Sequence, residues 1–445
     1  MIQGRKIRWI GGIALLFLLP MSAMGRECKS ELGAHFKPLF GSDLLSWSME
    51  TTATQGWMEL EGEDRSLRTG LLFTGLDIRP WKDSGHQFYL EGGWKDWYRS
   101  DDGPGEGEDG ETEPERRHLW LREAFYRYDG HSSWLKVGLQ SMNLGEGLLL
   151  DERVLGASAM KAFGPFDVQL RAGSVATDFA RMEEFCANRH TYQLLRGRRL
   201  SLVADALGET NLVAAKISWM PGKTVEEAPA EACALENDDE MAFADFGDEF
   251  AVFGGEEENR LLERVSLIFM EEFGDGFHNY KYYAGGLLEL SLPWRIGMKL
   301  EGIGQYIEGE KAIGYMAEAQ RDVTWRSGAF TDLTAGYMGR FRIDDDAFFY
   351  PTFGNLFMGE VMRLDAPALP LAYTSVHHRF PWRLAPAIGV SLIEQVGAAD
   401  VTELDLTMGI RLFDGLRLEG VYSYGRTDLL EEEMQMGRLE FRWSF

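Results

Sequence analysis

Apolar and polar residues alternate with a period of two along most of this chain. Leu404-Asp405-Leu406-Thr407-Met408-Gly409-Ile410-Arg411-Leu412 alternates without a break. After the turn Phe413-Asp414-Gly415 the pattern resumes in Leu416-Arg417-Leu418-Glu419-Gly420-Val421-Tyr422. Asp-Gly between two alternating runs is a strong hairpin signal. Residues 66–76 and 297–306 alternate too, slipping only at glycines. The chain closes on "GRLEFRWSF", with Leu439, Phe441, Trp443 and Phe445 on one face and Arg438, Glu440, Arg442 and Ser444 on the other. Such segments begin near 44, 66, 86, 117, 132, 155, 165, 192, 211, 261, 278, 295, 310, 328, 371, 384, 402, 416 and 434. Most run about 9–14 residues, which is long for a globular strand and right for a tilted strand crossing a bilayer. No segment longer than two turns carries a helical period.

A soluble sandwich turns its apolar face inward, whereas a membrane barrel turns it to lipid and its polar face to the lumen. The period alone does not choose. The N-terminus does: Arg5, Lys6 and Arg8 precede the apolar stretch 10–19 and an Ala23-Met24-Gly25 cleavage site, the grammar of a secretory signal. Beyond it no apolar run approaches the roughly 20 residues of a membrane helix. Aromatics cluster at strand ends (Trp94, Trp97, Tyr98, Trp134, Trp219, Trp294, Trp325, Trp382, Trp443, Phe445) as in interfacial girdles. The expected fold is all-β: a transmembrane, antiparallel, up-and-down barrel of about 18 strands, an even number between 16 and 20. Short periplasmic turns and long external loops would connect them. Residues 1–25 read as signal, 26–43 as a periplasmic lead-in and 44–445 as one barrel in the outer membrane of a Gram-negative bacterium. Strand parity clashes by one between 220 and 278. Either a further strand lies at Glu249-Phe250-Ala251-Val252-Phe253, the favoured solution, or the segment 220–260 is periplasmic.

Charge sharpens this. The formal net charge is −26, yet 101–115 holds 8 acidic residues and 226–258 holds 13, with no Lys or Arg inside either. These segments, in the loops 100–116 and 220–260, read as solvated charge runs. Such acidity excludes nucleic acid as a partner. Asp101, Asp102 and Glu106 are weak calcium candidates, lacking EF-hand spacing. Cys28, Cys186 and Cys233 make an odd count, so full intramolecular pairing is excluded; Cys186 and Cys233, both in polar segments, suit a loop–loop disulfide. No CxxCH, HExxH, GxSxG or GxGxxG occurs, so neither an enzyme nor a cofactor is expected. His377-His378 would point to opposite faces of a strand and chelate poorly.

The most informative stretch is Leu121-Arg122-Glu123-Ala124, then Val137-Gly138-Leu139-Gln140, then Gly145-Glu146-Gly147-Leu148-Leu149-Leu150-Asp151-Glu152-Arg153. This order resembles the alginate export family of outer-membrane barrels, with its "LREA" strand, "VGRQ" strand and "GDG…DR" loop. Here the second strand reads VGLQ, without the arginine. The LRTGLLF run at 67–73 and the region 349–357 are further, fainter likenesses. The resemblance covers roughly 66–175 and implies an 18-stranded monomer with a pore lined by charged residues.

On the residues themselves, Asp151 and Arg153 share a strand face. If that face is luminal, they join Arg122 and Glu123 in a charged constriction, or brace an inward-folded loop as ion pairs. Arg196 with Arg198, and Arg340 with Arg342, repeat the same-face spacing. Guanidinium forks in a lumen suit carboxylate or phosphate solutes, or pair with lumen acids such as Glu301 and Glu419. The expected function is a passive channel for a hydrophilic, anionic or polysaccharide substrate. The alternative is a structural sheath around a periplasmic electron-transfer partner. Phe445 resembles the terminal signal read by the outer-membrane assembly machinery.

Overall fold

The computed structural model describes residues 37–39, 42–60, 63–81, 84–101, 117–145, 148–175, 198–199, 210–222, 261–274, 280–344, 349, 351, 357–358, 364–365, 370–396, 401–413, 415–427 and 432–444. Among them there is no helix, and eighteen strands form one closed antiparallel sheet. In chain order these are β1 (Ser42–Leu60), β2 (Glu63–Ile78), β3 (His86–Asp101), β4 (Arg117–Gly130), β5 (Ser133–Leu144) and β6 (Leu150–Phe163). Then come β7 (Phe166–Val175), β8 (Asn211–Trp219), β9 (Leu262–Phe273), β10 (Lys281–Leu292), β11 (Ile296–Ile307) and β12 (Glu310–Thr324). The last six are β13 (Phe330–Arg342), β14 (Leu371–Arg379), β15 (Ala387–Gln395), β16 (Val401–Phe413), β17 (Leu416–Thr427) and β18 (Glu432–Ser444). Each pairs with its successor, and β18 closes on β1 from Glu50↔Ser444 to Glu59↔Gln435. Closure leaves no free sheet edge, the condition for strands to stand in lipid.

Alternation sorts the side chains as the pattern requires. Leu439, Phe441 and Trp443 are exposed on the outer face, while Arg438, Glu440 and Arg442 are buried inside. Leu404, Leu406 and Met408 on β16 and Ile388, Val390 and Leu392 on β15 continue the apolar outer band. At the end that holds both termini, Trp81, Trp294, Trp325, Trp382 and Trp443 ring that band as exposed aromatics. Trp134 departs from the expected girdle: its register opposite Asp129 turns it inward, where the Arg127 guanidinium lies 5.9 Å from its ring. The side chains of Trp97 and Tyr98 lie outside the described residues, as does Phe445.

All but one of the expected segments are wall strands. The exception is the segment near 192. Only Arg198–Arg199 is a described strand there, and it pairs with β4 at Trp120↔Arg199 and Leu121↔Arg198 instead of joining the wall as a strand of its own. Removing that segment from the count resolves the parity clash. β8 pairs with β9 along its full length, from Asn211↔Phe273 to Trp219↔Val265, with nothing between them. Trp219 and Leu262 both lie at the end that holds the termini, so the acidic segment leaves and re-enters the barrel there. Residues 249–253 lie outside the described residues, and the barrel closes without them.

Candidate functional site

The inner face is built by register, one irregularity and one excursion. The irregularity is a β-bulge on β4. Glu91 of β3 faces Glu123, and the next pair is Gly92↔Leu121, so Arg122 is the extra residue. A bulge breaks strict alternation and re-aims a side chain. Adjacent Arg122 and Glu123 therefore both point inward, and both are buried. The Arg122 Nη1 lies 2.7 Å from Glu91 Oε1, and its guanidinium stands 5.4 Å from the Phe73 ring centroid. The Tyr89 hydroxyl donates to Glu91 on its other oxygen.

The excursion is the tip of the β5–β6 hairpin. β5 follows β4 only as far as Ala124↔Leu139, and β6 follows β7 only from Val154↔Val175. Above these points the hairpin keeps its own ladder, from Ser141↔Arg153 to Leu144↔Leu150, and leaves the wall for the lumen. Its place beside β4 is taken by Arg198–Arg199. Glu123 holds the base of the tip: the Ser141 backbone N–H donates to its Oε1 at 2.7 Å, Arg153 Nε lies 3.7 Å away and Lys136 Nζ 3.9 Å away. Lys136 also stands 3.9 Å from the Phe125 ring centroid. The tip reaches β11, five strands round the barrel: a Cβ on Gly145 would stand 3.0 Å from both Glu301 Oε1 and Ile303 Cδ1. Gly145 also has a φ of 69°, which disfavours any other residue.

The tip is apolar, and so is its seat. Leu148, Leu149 and Leu150 are at most 1% exposed. They join one buried cluster with residues from every strand from β7 to β16, among them Val175, Leu212, Met270, Ile303, Met338 and Ile393. All the wall members lie towards the end remote from the termini, forming an apolar collar over more than half the circumference. Phe349, from the connection between β13 and β14, is fully buried in the same cluster and lies over Gly314 of β12. Burying each leucine contributes about 1.5–3 kcal/mol, so the three hold the tip firmly in place.

Below the collar the lumen is charged. Among the described residues, the whole interior holds sixteen buried carboxylates against eight buried lysines and arginines, with Asp151, Glu152, Arg153 and Glu272 at or above the collar. Several bases are paired outright, such as Arg438 with Glu419 at 3.4 Å and Arg442 with Glu440 at 3.0 Å. Glu301 and Glu318 sit one inward position below Ile303 and Met316, at the lower rim of the collar. The Tyr373 hydroxyl donates to Glu318, and the Tyr373 ring lies over Gly336.

The sequence-derived residues fall as follows. Glu123 and Arg153 meet at the base of the tip, Arg122 pairs with Glu91 beside them, and Asp151 lies further up the tip opposite Asn143. Because the tip leaves the wall, both of its faces are interior, so Asp151 and Arg153 are buried although β6's wall portion points its even residues inward. Arg340 faces the lumen by register opposite Gly314, and Arg342 ends β13 opposite Ala312 with its side chain outside the described residues. Arg198 is described only as backbone; Arg196, Asp102, Glu106 and the three cysteines lie outside the described residues, and Asp101 ends β3 with its side chain undescribed. His377 and His378 do face opposite ways: His378 Nδ1 is 2.8 Å from Thr331 Oγ1 on the outer side.

Sequence reasoning missed the collar, Glu91, Lys136 and the reach of the tip to Glu301. One signal was available: Leu148-Leu149-Leu150 abandons alternation, and a short continuous apolar run marks a segment buried on both faces.

A closed eighteen-stranded antiparallel barrel with an apolar outer band and a polar lumen is the architecture seen in outer-membrane porin barrels. Solved structures with a similar fold include OccAB4 of Acinetobacter baumannii, at TM-score 0.53 and 8% identity over 91% of this chain and 99% of that one. OpdK of Pseudomonas aeruginosa, solved with vanillate, aligns at TM-score 0.53 and 10% identity over 90% of this chain and 98% of its own. OccK9 (OpdG) of Pseudomonas aeruginosa aligns at 0.52 and 11%, over 90% and 98%. These identities speak to fold alone. No family model matches the sequence, and no curated protein sequence matches it.

Proposed function

We propose that this protein is a passive outer-membrane channel whose conduction is set by the inward-folded β5–β6 tip, and that it favours cations over anions. The carrying observation is the lumen itself: a closed barrel, an apolar tip folded into it, and twice as many buried carboxylates as bases in its interior. Rings of charge set selectivity in pores, and apolar constrictions gate them by excluding water. On this reading the end that holds the termini is periplasmic, and so is the anchor of the acidic segment 220–260.

Of the solutes the sequence suggested, an anion has the least support, because the lumen arginines with described partners are held by acids. The LREA strand and the GEGLLLDER loop that resemble the alginate export family are β4 and the tip. The likeness thus falls on the lumen and supports a channel without naming alginate as its solute. The sheath reading has less support than the channel. A threaded partner needs a wide, unobstructed bore, and here the tip occupies it.

Reversal potentials in planar bilayers under a KCl gradient test this. Openings should reverse on the potassium side of zero, and Glu301→Gln with Glu318→Gln should move the reversal potential towards zero. A reversal on the chloride side would refute the cation preference.

A further inference from the structure

We propose that the solute this channel takes is an amphipathic organic cation: an ammonium group carrying an aliphatic or aromatic body. This rests on the channel reading above and names its substrate class. Two features, one above the other, carry it. The collar spans ten consecutive strands, β7–β16, and in this structure the leucines of the tip fill it. On this proposal the tip leaves when solute passes, and its departure uncovers apolar wall. Water or a fully hydrated ion cannot replace the lost contact, whereas an apolar body can take the place of the leucines. The same exchange therefore opens the channel and admits the solute, so opening is coupled to the solute's own apolar surface.

The second feature fixes the charge. At the lower rim of the collar stand Glu301, Glu318 and Glu403, all buried, with Asp405 one inward position further down β16. Lys299, in register with Glu289 and Glu318, answers part of this charge. Tyr373 sits at the boundary, its ring over Gly336 and its hydroxyl on Glu318. A tyrosine ring beside a carboxylate is a surface on which an ammonium gains both cation–π and ionic attraction. An amphipathic anion would meet the same collar and then be repelled.

Currents through the purified full-length protein in planar bilayers test this, with permanently charged probes that do not cross lipid unaided. Tetramethyl-, butyltrimethyl- and hexyltrimethylammonium would each be the sole cation on one side, with hexanesulfonate as the matched anion. The expected current rises with chain length by about two- to fourfold per methylene at limiting concentration, the span set by up to about 0.8 kcal/mol per buried methylene. Hexanesulfonate should carry none. A second protein, Leu148→Ser with Leu149→Ser, is run with KCl as a control on the pore. If that variant conducts potassium while the unaltered protein passes all three ammonium ions equally, or prefers hexanesulfonate, the substrate class is overturned and the channel reading stands. If the variant is silent to potassium, the channel reading falls and the inference falls with it.

Discussion

Replacing Leu148 and Leu149 together with serine should convert a mostly closed barrel into one that conducts potassium steadily. Both leucines are fully buried in the cluster that joins the tip to the wall. Each contributes about 1.5–3 kcal/mol by burial, and a hydroxyl in their place gains no comparable contact. The tip-in arrangement should lose about 3–6 kcal/mol relative to tip-out, an increase of roughly 10²- to 10⁴-fold in the open-to-closed ratio. The wall strands β5 and β6 keep their ladders with β4 and β7 below Leu139 and Val154, so the barrel itself should survive. Single-channel recording reads the effect directly, and heat-modifiable migration confirms folding. A variant that folds and conducts potassium no more than an already conducting parent would show that the tip does not block the lumen.

The second large effect is on stability. Arg122→Ala should destabilise the barrel by about 3–5 kcal/mol, because it strands the Glu91 carboxylate without its cation in a buried site. The pair stands at 2.7 Å with both side chains at most 2% exposed. Removing both charges together, as Arg122→Leu with Glu91→Leu, should restore much of the loss, since replacing a buried pair with apolar groups is often neutral. Unfolding midpoints in detergent, measured for both singles and the double, separate these outcomes. If the double is as unstable as the sum of the singles, the pair is not coupled. The cation preference should be nearly the same in the double, because one charge of each sign is removed. This distinguishes bracing from selectivity at this position.

Much of this molecule was legible in its alternation. The period-two pattern located every wall strand, most within three residues and β6 within five, and it turned "GRLEFRWSF" the right way round. It did so because a strand between lipid and lumen has two chemically opposed faces, and that opposition is written residue by residue. The same reasoning erred in counting a wall strand near 192, where the two described residues of the Arg-rich run, Arg198 and Arg199, pair with β4 and the wall closes without that segment. It also favoured a strand at 249–253 to balance a count that the extra segment had upset. A period cannot say which neighbour a segment pairs with, and pairing is what makes a strand part of a wall.

The site residues divide in the same way. Arg122, Glu123, Asp151 and Arg153 stood out by type and spacing; all four are buried inside, and of them Glu123 and Arg153 form a described ion pair. Why all four lie inside depends on a bulge that points two adjacent residues the same way, and on a hairpin that leaves both neighbours. The bulge leaves no local signature and the hairpin only the unbroken Leu148-Leu149-Leu150 run, since each is a matter of hydrogen bonds made or withheld between strands. Glu301, Tyr373 and Phe349 lie 150 to 230 positions from the tip along the chain. The position and the faces of each strand follow from local chemistry, where neighbouring residues point outward or to the lumen in turn. The apolar collar, its leucine stopper and the acidic rim beneath are long-range contacts, and only closure of the sheet brings them to one height in the barrel.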